Sequence, residues 1–221
     1  MRLNKYIALC TGVSRRAADR LIAKDQVIVN GTPAQLGQII DEINDKIELD
    51  RKLLLLPRST STILFHKPVG YICSRNGQGN ATIYDILPKQ YHHLKPVGRL
   101  DKNSSGLLLL TDNGDLAQQL THPSYKKQKK YIIRLNKGLT ANDQEAIDHG
   151  VPLVDGLSKL TIEMLPDSNA TTDWLVTMTE GRNRQIRRTF AHLGYHVTKL
   201  HRIQFGTFAL DNLRSGEIKE L

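Results

Sequence analysis

Residues 97–114 have the sequence VGRLDKNSSGLLLLTDNG, and this segment decides the fold. Four consecutive leucines, Leu107–Leu110, lie between glycine-bearing turns, and such a run predicts a strand that is buried on both faces. A charged pair, Arg99 and Asp101, comes just before that strand. A carboxylate beside a dry core is costly unless it has a cationic partner or a chemical role. A structural ion pair is the simpler of these two explanations.

Composition narrows the class of protein. The chain has 221 residues, of which 39% are hydrophobic and 24% charged, as expected for a folded chain with one large domain and one small one. Its net charge of +9 indicates a polyanionic partner, and nucleic acid is the commonest. The two cysteines, Cys10 and Cys73, indicate neither a disulfide framework nor a cysteine metal site, and they favour a reducing cytoplasm. No secretion signal or membrane span is expected.

The first 57 residues form a pattern of their own. Ser14 is predicted to cap a helix that runs to Lys24 with one apolar and one cationic face. Val27–Val29 and Lys46–Leu49 are predicted strands, and Asn30-Gly31 is a predicted hairpin turn. Any solvated helix can carry arginines, so the cationic face alone does not decide a function.

The order of these residues resembles the small RNA-binding domain named after small-subunit ribosomal protein four. The resemblance is carried by RLNKYIA at 2–8, GVSRRAADRLI at 12–22 and VIVNG at 27–31. It implies a domain that binds RNA phosphates and recognises the shape of an RNA helix. The predicted RNA contacts here are Arg2, Lys5, Arg15, Arg16 and Arg20.

Residues 58–62, RSTST, are polar and aperiodic and are predicted to be a linker, so the predicted domains are 1–57 and 63–221. From Ile63 onward short strands and antiparallel-style turns dominate, which predicts an α+β fold with a mixed sheet. The basic run KKQKK at 126–130 leads into a predicted strand, YIIRL at 131–135. Tyr131 on that strand is either ordinary core or the edge of a cleft.

A second basic segment, EGRNRQIRR at 180–188, follows the predicted strand Trp174–Met178 and begins a helix. Its four arginines oppose the helix dipole, which favours anions at that end. The segment therefore indicates an anionic partner, either a phosphate or an internal carboxylate. Arg182 and Arg188 are also compatible with a solvated basic face.

Other chemistries fit the sequence poorly. His192 and His196 have helical ligand spacing, but Gly194 interrupts the helix between them and no carboxylate is suitably placed, so no metal site is predicted. No serine has the glycine-flanked setting of a nucleophile elbow. The loop at 76–80 lacks the lysine and hydroxyl residues of a phosphate loop.

The larger part of the chain resembles the rRNA pseudouridine synthases of the small-subunit and single-site large-subunit type. Four segments carry the resemblance in the family's order: KPVG at 67–70, GRLD at 98–101 with SGLL at 105–108, KY at 130–131, and the arginine segment 180–188. It implies an α+β chain in which a small helical/β RNA-binding domain is linked to a larger mixed-sheet synthase domain. His66, where relatives often have asparagine, and the order Asp112-Asn113 depart from the family pattern.

The resemblance also implies catalytic roles. Asp101 is the ionised carboxylate that acts at the sugar, either by attacking it or by removing a proton from it. Arg187 is the cation that keeps Asp101 charged. Tyr131 stacks on the base and assists the final removal of a proton from the ring carbon.

Substrate contacts are implied in the same way. Leu200 packs against the base, and Arg99 fills the gap that a flipped base leaves in the RNA helix. Lys67 either supports the pocket or contacts RNA. Lys129, Lys130 and Arg184 are the remaining predicted RNA contacts.

The implied reaction is the isomerisation of uridine to pseudouridine in ribosomal RNA, which oxidises and hydrolyses nothing, so no cofactor is expected. The expected partner is ribosomal RNA or a ribosome-assembly particle, and the chain is expected to be a cytoplasmic monomer. Two rivals remain open: a non-catalytic RNA-binding or ribosome-assembly protein on the same scaffold, and an enzyme that hydrolyses the nucleoside and releases free uracil. The first rival has no use for Asp101, Tyr131 and Arg187 together.

Overall fold

The structure is a computed structural model that describes residues 1–57, 59–165 and 171–221. The chain divides into two compact units, Met1–Thr60 and Ser61–Leu221. Two residues of the predicted linker belong to the larger unit, because the Ser61 backbone N–H donates to Asp112 Oδ1 at 2.8 Å and Thr62 begins a strand. Arg58, also in that linker, lies outside the described residues.

The smaller unit consists of two helices followed by a small antiparallel sheet. Its elements are α1 (Leu3–Thr11), α2 (Arg15–Ile22), β1 (Val27–Val29), β2 (Thr32–Pro33), β3 (Ile47–Leu49) and β4 (Lys52–Leu53). The sheet order is β2-β1-β3-β4. Buried residues of both helices pack on the sheet in one core that includes Leu3, Ile7, Ile22, Val27 and Ile47.

Local signals in the smaller unit act as the sequence predicts. The Ser14 hydroxyl accepts a hydrogen bond from the Ala17 backbone N–H at 3.1 Å and so caps α2. Asn30 and Gly31 have φ values of 51° and 82°, the left-handed pair that joins β1 to β2 in a tight hairpin. The helix ends at Ile22, two residues before the predicted end.

The larger unit is a mixed sheet with three helices packed around it. Its helices are α3 (Gly114–Thr121), α4 (Ala141–His149) and α5 (Gln185–His192). Its strands are β5 (Thr62–Lys67), β6 (Lys95–Val97), β7 (Ser105–Thr111), β8 (Lys129–Leu135), β9 (Val151–Leu153), β10 (Gly156–Ser158), β11 (Thr161–Met164), β12 (Asp173–Met178), β13 (Val197–Phe205), β14 (Phe208–Ala209) and β15 (Ile218–Glu220).

The main sheet has the order β11-β12-β8-β13-β7-β5-β15, with β6 paired to β7 and β14 to β13. The β13–β7 pair is parallel, and the other described pairs are antiparallel. Strands β9 and β10 form a separate hairpin. The predicted α+β fold with a mixed sheet is confirmed.

The leucine run is the centre of this sheet. Leu107, Leu108, Leu109 and Leu110 are all 0% exposed. Because side chains alternate along a strand, Leu108 and Leu110 enter the core that contains Phe190, whereas Leu107 and Leu109 enter a second core with Phe205. Burial of each leucine contributes about 1.5–3 kcal/mol, so β7 is a rigid base for the loop that precedes it.

Gly106 is required where β7 meets β13. Its φ is +106°, and a Cβ atom there would lie 2.2 Å from the Arg202 carbonyl oxygen and 2.6 Å from the Arg202 nitrogen. The two backbones can approach this closely only because position 106 has no side chain. This close pairing places Arg202, and Leu200 two residues before it, beside the start of β7, which follows the segment that holds Asp101.

Within the described parts of the chain, none of the helices has the length and apolar character needed to cross a membrane.

Candidate active site

Asp101 lies in the loop that connects the antiparallel strands β6 and β7. The Asp101 carbonyl accepts a hydrogen bond from the Ser104 backbone N–H at 3.1 Å, which closes a turn directly before β7. The Asp101 side chain is 33% exposed. The carboxylate is thus on a short turn anchored by a fully buried strand.

Lys67 holds this turn in place through the backbone carbonyls of the turn. Its side chain is 0% exposed, and its ammonium donates to the carbonyls of Pro68 at 2.9 Å, Asp101 at 3.2 Å and Ser104 at 2.8 Å. Burial lowers the pKa of Lys67. A fully buried ammonium does not reach RNA, so of the two predicted roles of Lys67 the structure favours support of the pocket over an RNA contact. Lys67 is a positioning residue for the Asp101 loop.

The cation paired with Asp101 is Arg184. Arg184 Nη1 donates to Asp101 Oδ2 at 3.2 Å. Arg184 has a φ of +47° and precedes α5 as its N-cap residue, where its side chain is 48% exposed. Asp101 thus has an ion-pair partner, and this partner comes from the arginine segment and not from Arg99.

Arg187 has a different place from the one predicted. Its guanidinium donates to the Val197 carbonyl at 2.6 Å and to the Asn103 carbonyl at 2.7 Å. Arg187 lies in the first turn of α5, from which it reaches the backbone of the Asp101 loop, while Arg184 reaches the carboxylate itself. Burial and the nearby Arg184 both lower the pKa of Arg187. The ion pair with Asp101 is made by Arg184. Arg187, the predicted cation, makes no such pair among the described residues, although the Asp101 charge acts on it and opposes the lowering of its pKa.

Tyr131 and Leu200 line the same cleft as Asp101. Tyr131 on β8 faces Arg202 on β13, and Ile133 faces Leu200, so Tyr131 and Leu200 occupy neighbouring positions across the two strands. Each is 8% exposed. Both line a cleft of about 250 Å³ that also contains Asp101, Arg99 and Arg184. The structure thus brings an ionisable carboxylate, an aromatic ring and an apolar side chain into one cleft.

The other two arginines of the segment hold a hairpin. Arg188 makes two hydrogen bonds to the Asp155 carboxylate, at 3.0 and 2.7 Å, and Arg182 donates to Asp155 Oδ1 at 3.0 Å. Arg182 also donates to the carbonyls of Asp155, Gly156 and Leu157 in the β9–β10 hairpin. Arg188 lowers the pKa of Asp155. Asp155 is thus an internal carboxylate, one of the two alternatives that the sequence leaves open for the partner of this segment. Arg182 and Arg188 pair with it and do not form a merely solvated basic face.

A histidine pair lies behind the Asp101 loop. His201 Nδ1 is 2.9 Å from the Ser105 hydroxyl, and the ring centroids of His201 and His66 are 5.2 Å apart. Burial, followed by the neighbouring His66, lowers the pKa of His201 to about 4. His201 is therefore neutral at physiological pH, and it lies opposite Ser105 where β13 pairs with β7.

No group of three or more histidine, cysteine or acidic side chains in the described ranges is arranged to hold a metal ion.

The family model described as RNA pseudouridylate synthase matches residues 61–192. The chain belongs to the RNA pseudouridylate synthase family. The matched residues include the Asp101 loop, Tyr131 and the arginine segment. The match does not extend to β13, which contributes Leu200, Arg202 and Phe205 to the cleft.

Individual members of the family are similar over the whole chain. The "Ribosomal large subunit pseudouridine synthase B" of Pseudomonas aeruginosa is 35% identical over 229 residues, which cover all of this chain and 59% of that protein. The protein of the same name from Yersinia pestis is 34% identical over 95% of this chain and 68% of its own length. The chain thus spans roughly three fifths to two thirds of these relatives. A solved structure titled "Crystal structure of pseudouridylate synthase" aligns with a TM-score of 0.71 and 31% identity over 100% of this chain and 96% of that one.

The cations predicted to contact RNA differ in accessibility in this chain. In the smaller unit Arg2, Arg15, Arg16 and Arg20 are exposed, whereas Lys5 is half-buried. In the larger unit Arg99 is exposed at the cleft, and Lys129 is half-buried and lines it. Lys130 is half-buried and is the next residue along strand β8, so its side chain points to the other face of the sheet.

The side chains of the cleft that sequence reasoning missed include three buried polar ones. Arg202 is 2% exposed and lines the cleft, although its only signal was the alternation of Leu200 and Arg202 on one strand. Ser104 is 1% exposed and its hydroxyl has no hydrogen-bond partner in the described structure. Gln185, 2% exposed, links the Glu180 carboxylate to the Ser158 hydroxyl.

Proposed function

We propose that this protein isomerises uridine to pseudouridine in ribosomal RNA at the cleft around Asp101, without a cofactor. The observation that carries the proposal is a carboxylate fixed by its backbone and paired with Arg184 at 3.2 Å, with Tyr131 and Leu200 in the same cleft. A module that only binds RNA needs cations but gains nothing from a carboxylate in its binding cleft. The arrangement therefore favours chemistry over binding alone.

The reaction breaks the bond between ribose C1′ and uracil N1, rotates the base and joins C1′ to C5. N1 gains a proton and C5 loses one, so no atom is gained or lost overall and nothing is oxidised. Asp101 must be ionised whether it attacks C1′ or removes a proton from the sugar. The Arg184 guanidinium lies against this carboxylate, with Nη1 3.2 Å from Oδ2. Lys67 and Arg187 hold the backbone of the Asp101 loop in place.

The walls of the cleft suit the detached base. Tyr131 provides a flat face for stacking and Leu200 an apolar neighbour, and the pair keeps the uracil close to C1′ while it rotates. We assign to the Tyr131 hydroxyl the assistance in removing the C5 proton. Arg99 is exposed on the same loop as Asp101 and fills the space from which the uridine is flipped.

RNA selection is assigned to the smaller unit. Its exposed arginines, Arg2, Arg15, Arg16 and Arg20, lie on or just before helices α1 and α2 and suit phosphate contacts. The sequence resemblance to the RNA-binding domain named after ribosomal protein four supports this role. Because two similar proteins are named for the ribosomal large subunit, we propose large-subunit ribosomal RNA, naked or in an assembly particle, as the substrate. The cytoplasm is where such particles assemble in bacteria.

The test is a map of pseudouridine in ribosomal RNA from cells with and without this gene. We expect one site or a few neighbouring sites to disappear without the gene. The wild-type gene should restore them and a gene encoding Asp101→Asn should not. An unchanged map would refute the proposal and support the non-catalytic rival, whereas abasic sites and free uracil would support the hydrolytic one.

A further inference from the structure

Two cations at the Phe205 end of the cleft have no carboxylate partner. Lys129 is the first residue of β8 and faces Phe205 across the sheet, while Arg202 faces Tyr131. The Lys129 ammonium lies 5.3 Å from the centroid of the Phe205 ring, and the Arg202 guanidinium lies 4.8 Å from it. In the described structure neither cation has a carboxylate oxygen within 4 Å. Two positive charges therefore share one ring, and the acid whose charge acts on Lys129 is Glu180.

Arg202 is only partly satisfied by the protein. Its Nε–H donates to the Leu107 carbonyl at 2.8 Å, but its Nη2 is buried and has no hydrogen-bond partner in the described structure. The residue is 2% exposed and still lines the cleft. Stacking on Phe205 and one backbone hydrogen bond do not compensate for burial of a full positive charge. A structural role alone leaves this charge unexplained.

Lys129 is held loosely. Its ammonium has three backbone carbonyls near it, those of Lys127, Thr179 and Glu180, at 3.3, 3.5 and 3.4 Å. These distances exceed the 2.7–3.2 Å typical of protein N–H···O hydrogen bonds. Burial, followed by the nearby Arg202, lowers the pKa of Lys129. The nearest acid, Glu180, has its carboxylate bound to Arg182 and Gln185.

We infer that Lys129 and Arg202 form an anion subsite at the Phe205 end of the cleft, and that it takes one phosphodiester of the RNA beside the target uridine. Lys129 makes the direct contact, and Arg202 contributes a fixed charge in the wall behind it. Lys127 lines the same end and adds a third positive charge. The inference rests on the proposed function, because the anion it names is part of that substrate.

A phosphodiester fits this subsite better than the uracil base does. The base is neutral, and the side chains that suit it are the aromatic ring of Tyr131 and the apolar side chain of Leu200. An ammonium is a point charge that binds phosphate oxygens from any direction. Displacing the long backbone contacts of Lys129 costs little, whereas pairing with an anion removes the repulsion between the two cations.

The test uses a ribosomal RNA fragment that contains the mapped uridine, with one phosphodiester at a time replaced by a neutral methylphosphonate. For the wild-type protein we expect one linkage next to the uridine at which replacement weakens binding by about 10-fold or more. Lys129→Gln should weaken binding of unmodified RNA by a similar factor and lose the sensitivity at that linkage. It should also reduce the salt dependence of binding by about one phosphate contact.

Lys126→Gln is the matched control. It removes one charge from the same basic run, but Lys126 is exposed and lies outside the lining of the cleft, so sensitivity at the same linkage should persist. Arg202→Lys should keep part of the sensitivity and Arg202→Met should reduce it. The fluorescence of Trp174, the one tryptophan of the chain, checks that each variant is folded.

The inference is overturned if wild-type binding is equally sensitive at all linkages, or if Lys129→Gln keeps the full sensitivity. Turnover of unmodified RNA separates this result from the proposed function. RNA that binds with a sensitive linkage but is never isomerised would refute the function and leave the subsite standing. RNA that is isomerised with no sensitive linkage would refute the subsite alone.

Discussion

Replacing Lys67 with methionine removes an ammonium that donates three hydrogen bonds and keeps a side chain of similar length. The carbonyls of Pro68, Asp101 and Ser104 lose their shared donor. Each buried carbonyl left without a partner costs about 1–3 kcal/mol, and relief from burying the ammonium offsets part of the sum. We expect a net loss of about 2–4 kcal/mol in the free energy of unfolding of the larger unit.

Turnover should fall more steeply than stability predicts. Two of the three carbonyls belong to the turn that carries Asp101, so the carboxylate loses its fixed position. A displacement of about 1 Å in a reacting group lowers a rate by about 100-fold. We therefore expect about a 100-fold loss of turnover under conditions in which Lys67→Met is still folded.

Urea unfolding followed by Trp174 fluorescence is the assay, because Trp174 is 2% exposed and lies in the larger unit. Lys102→Met is the control: Lys102 is on the same loop, but it is exposed and donates to the side chain of Asn80. Its unfolding free energy should change by less than about 0.5 kcal/mol. If Lys67→Met unfolds at the same urea concentration as the wild type and turns over RNA normally, the positioning role is refuted.

Three further predictions concern residues around the site. Asp155→Asn frees the arginine segment and should lower single-turnover rates about 10-fold, while Asp148→Asn on an exposed face of α4 should not. The pKa of His201 is about 4 in the folded protein and 6.5 in the unfolded chain. The unfolded chain therefore binds the proton first as the pH drops from about 6.5 to about 4, and the free energy of unfolding falls over that range. After allowance for solvent screening we expect a loss of about 1–2 kcal/mol. Urea unfolding curves of His201→Gln at several pH values should lack that loss, and a pH dependence equal to that of the wild type would contradict the assignment to His201. Gly106→Ala places Cβ 2.2 Å from a carbonyl oxygen and should destabilise by at least about 3 kcal/mol in urea; a near-neutral variant would refute the tight crossing.

Features that depend on local sequence were predictable. The leucine run needs only its neighbours to identify a strand buried on both faces. The Ser14 cap and the Asn30-Gly31 turn follow from hydrogen bonds and dihedral angles within four residues. A charged residue next to such a strand is unusual and singles out Asp101, but its catalytic role is implied by the resemblance to the synthase family and not by the pattern.

Features that depend on long-range packing were not predictable from the sequence. Arg184 and Asp101 are 83 residues apart, and nothing in the arginine segment distinguishes Arg184 from Arg187 as the partner. Lysine is almost never fully buried, so the burial of Lys67 has no signal in its own sequence neighbourhood. Arg202 is recognised as a cleft residue only once β13 is known to pair with β7, where Arg202 lies opposite Gly106.

The most direct test of the account is release of tritium from RNA that carries it at C5 of the target uridine. Formation of the new bond at C5 releases that hydrogen, whereas binding or hydrolysis of the sugar–base bond does not. Purified protein without added cofactor should release tritium in proportion to pseudouridine formed. Asp101→Asn should lower the rate at least about 1000-fold while binding the same RNA. Absence of release by the wild type on its mapped substrate, or an equal rate in Asp101→Asn, would contradict the account.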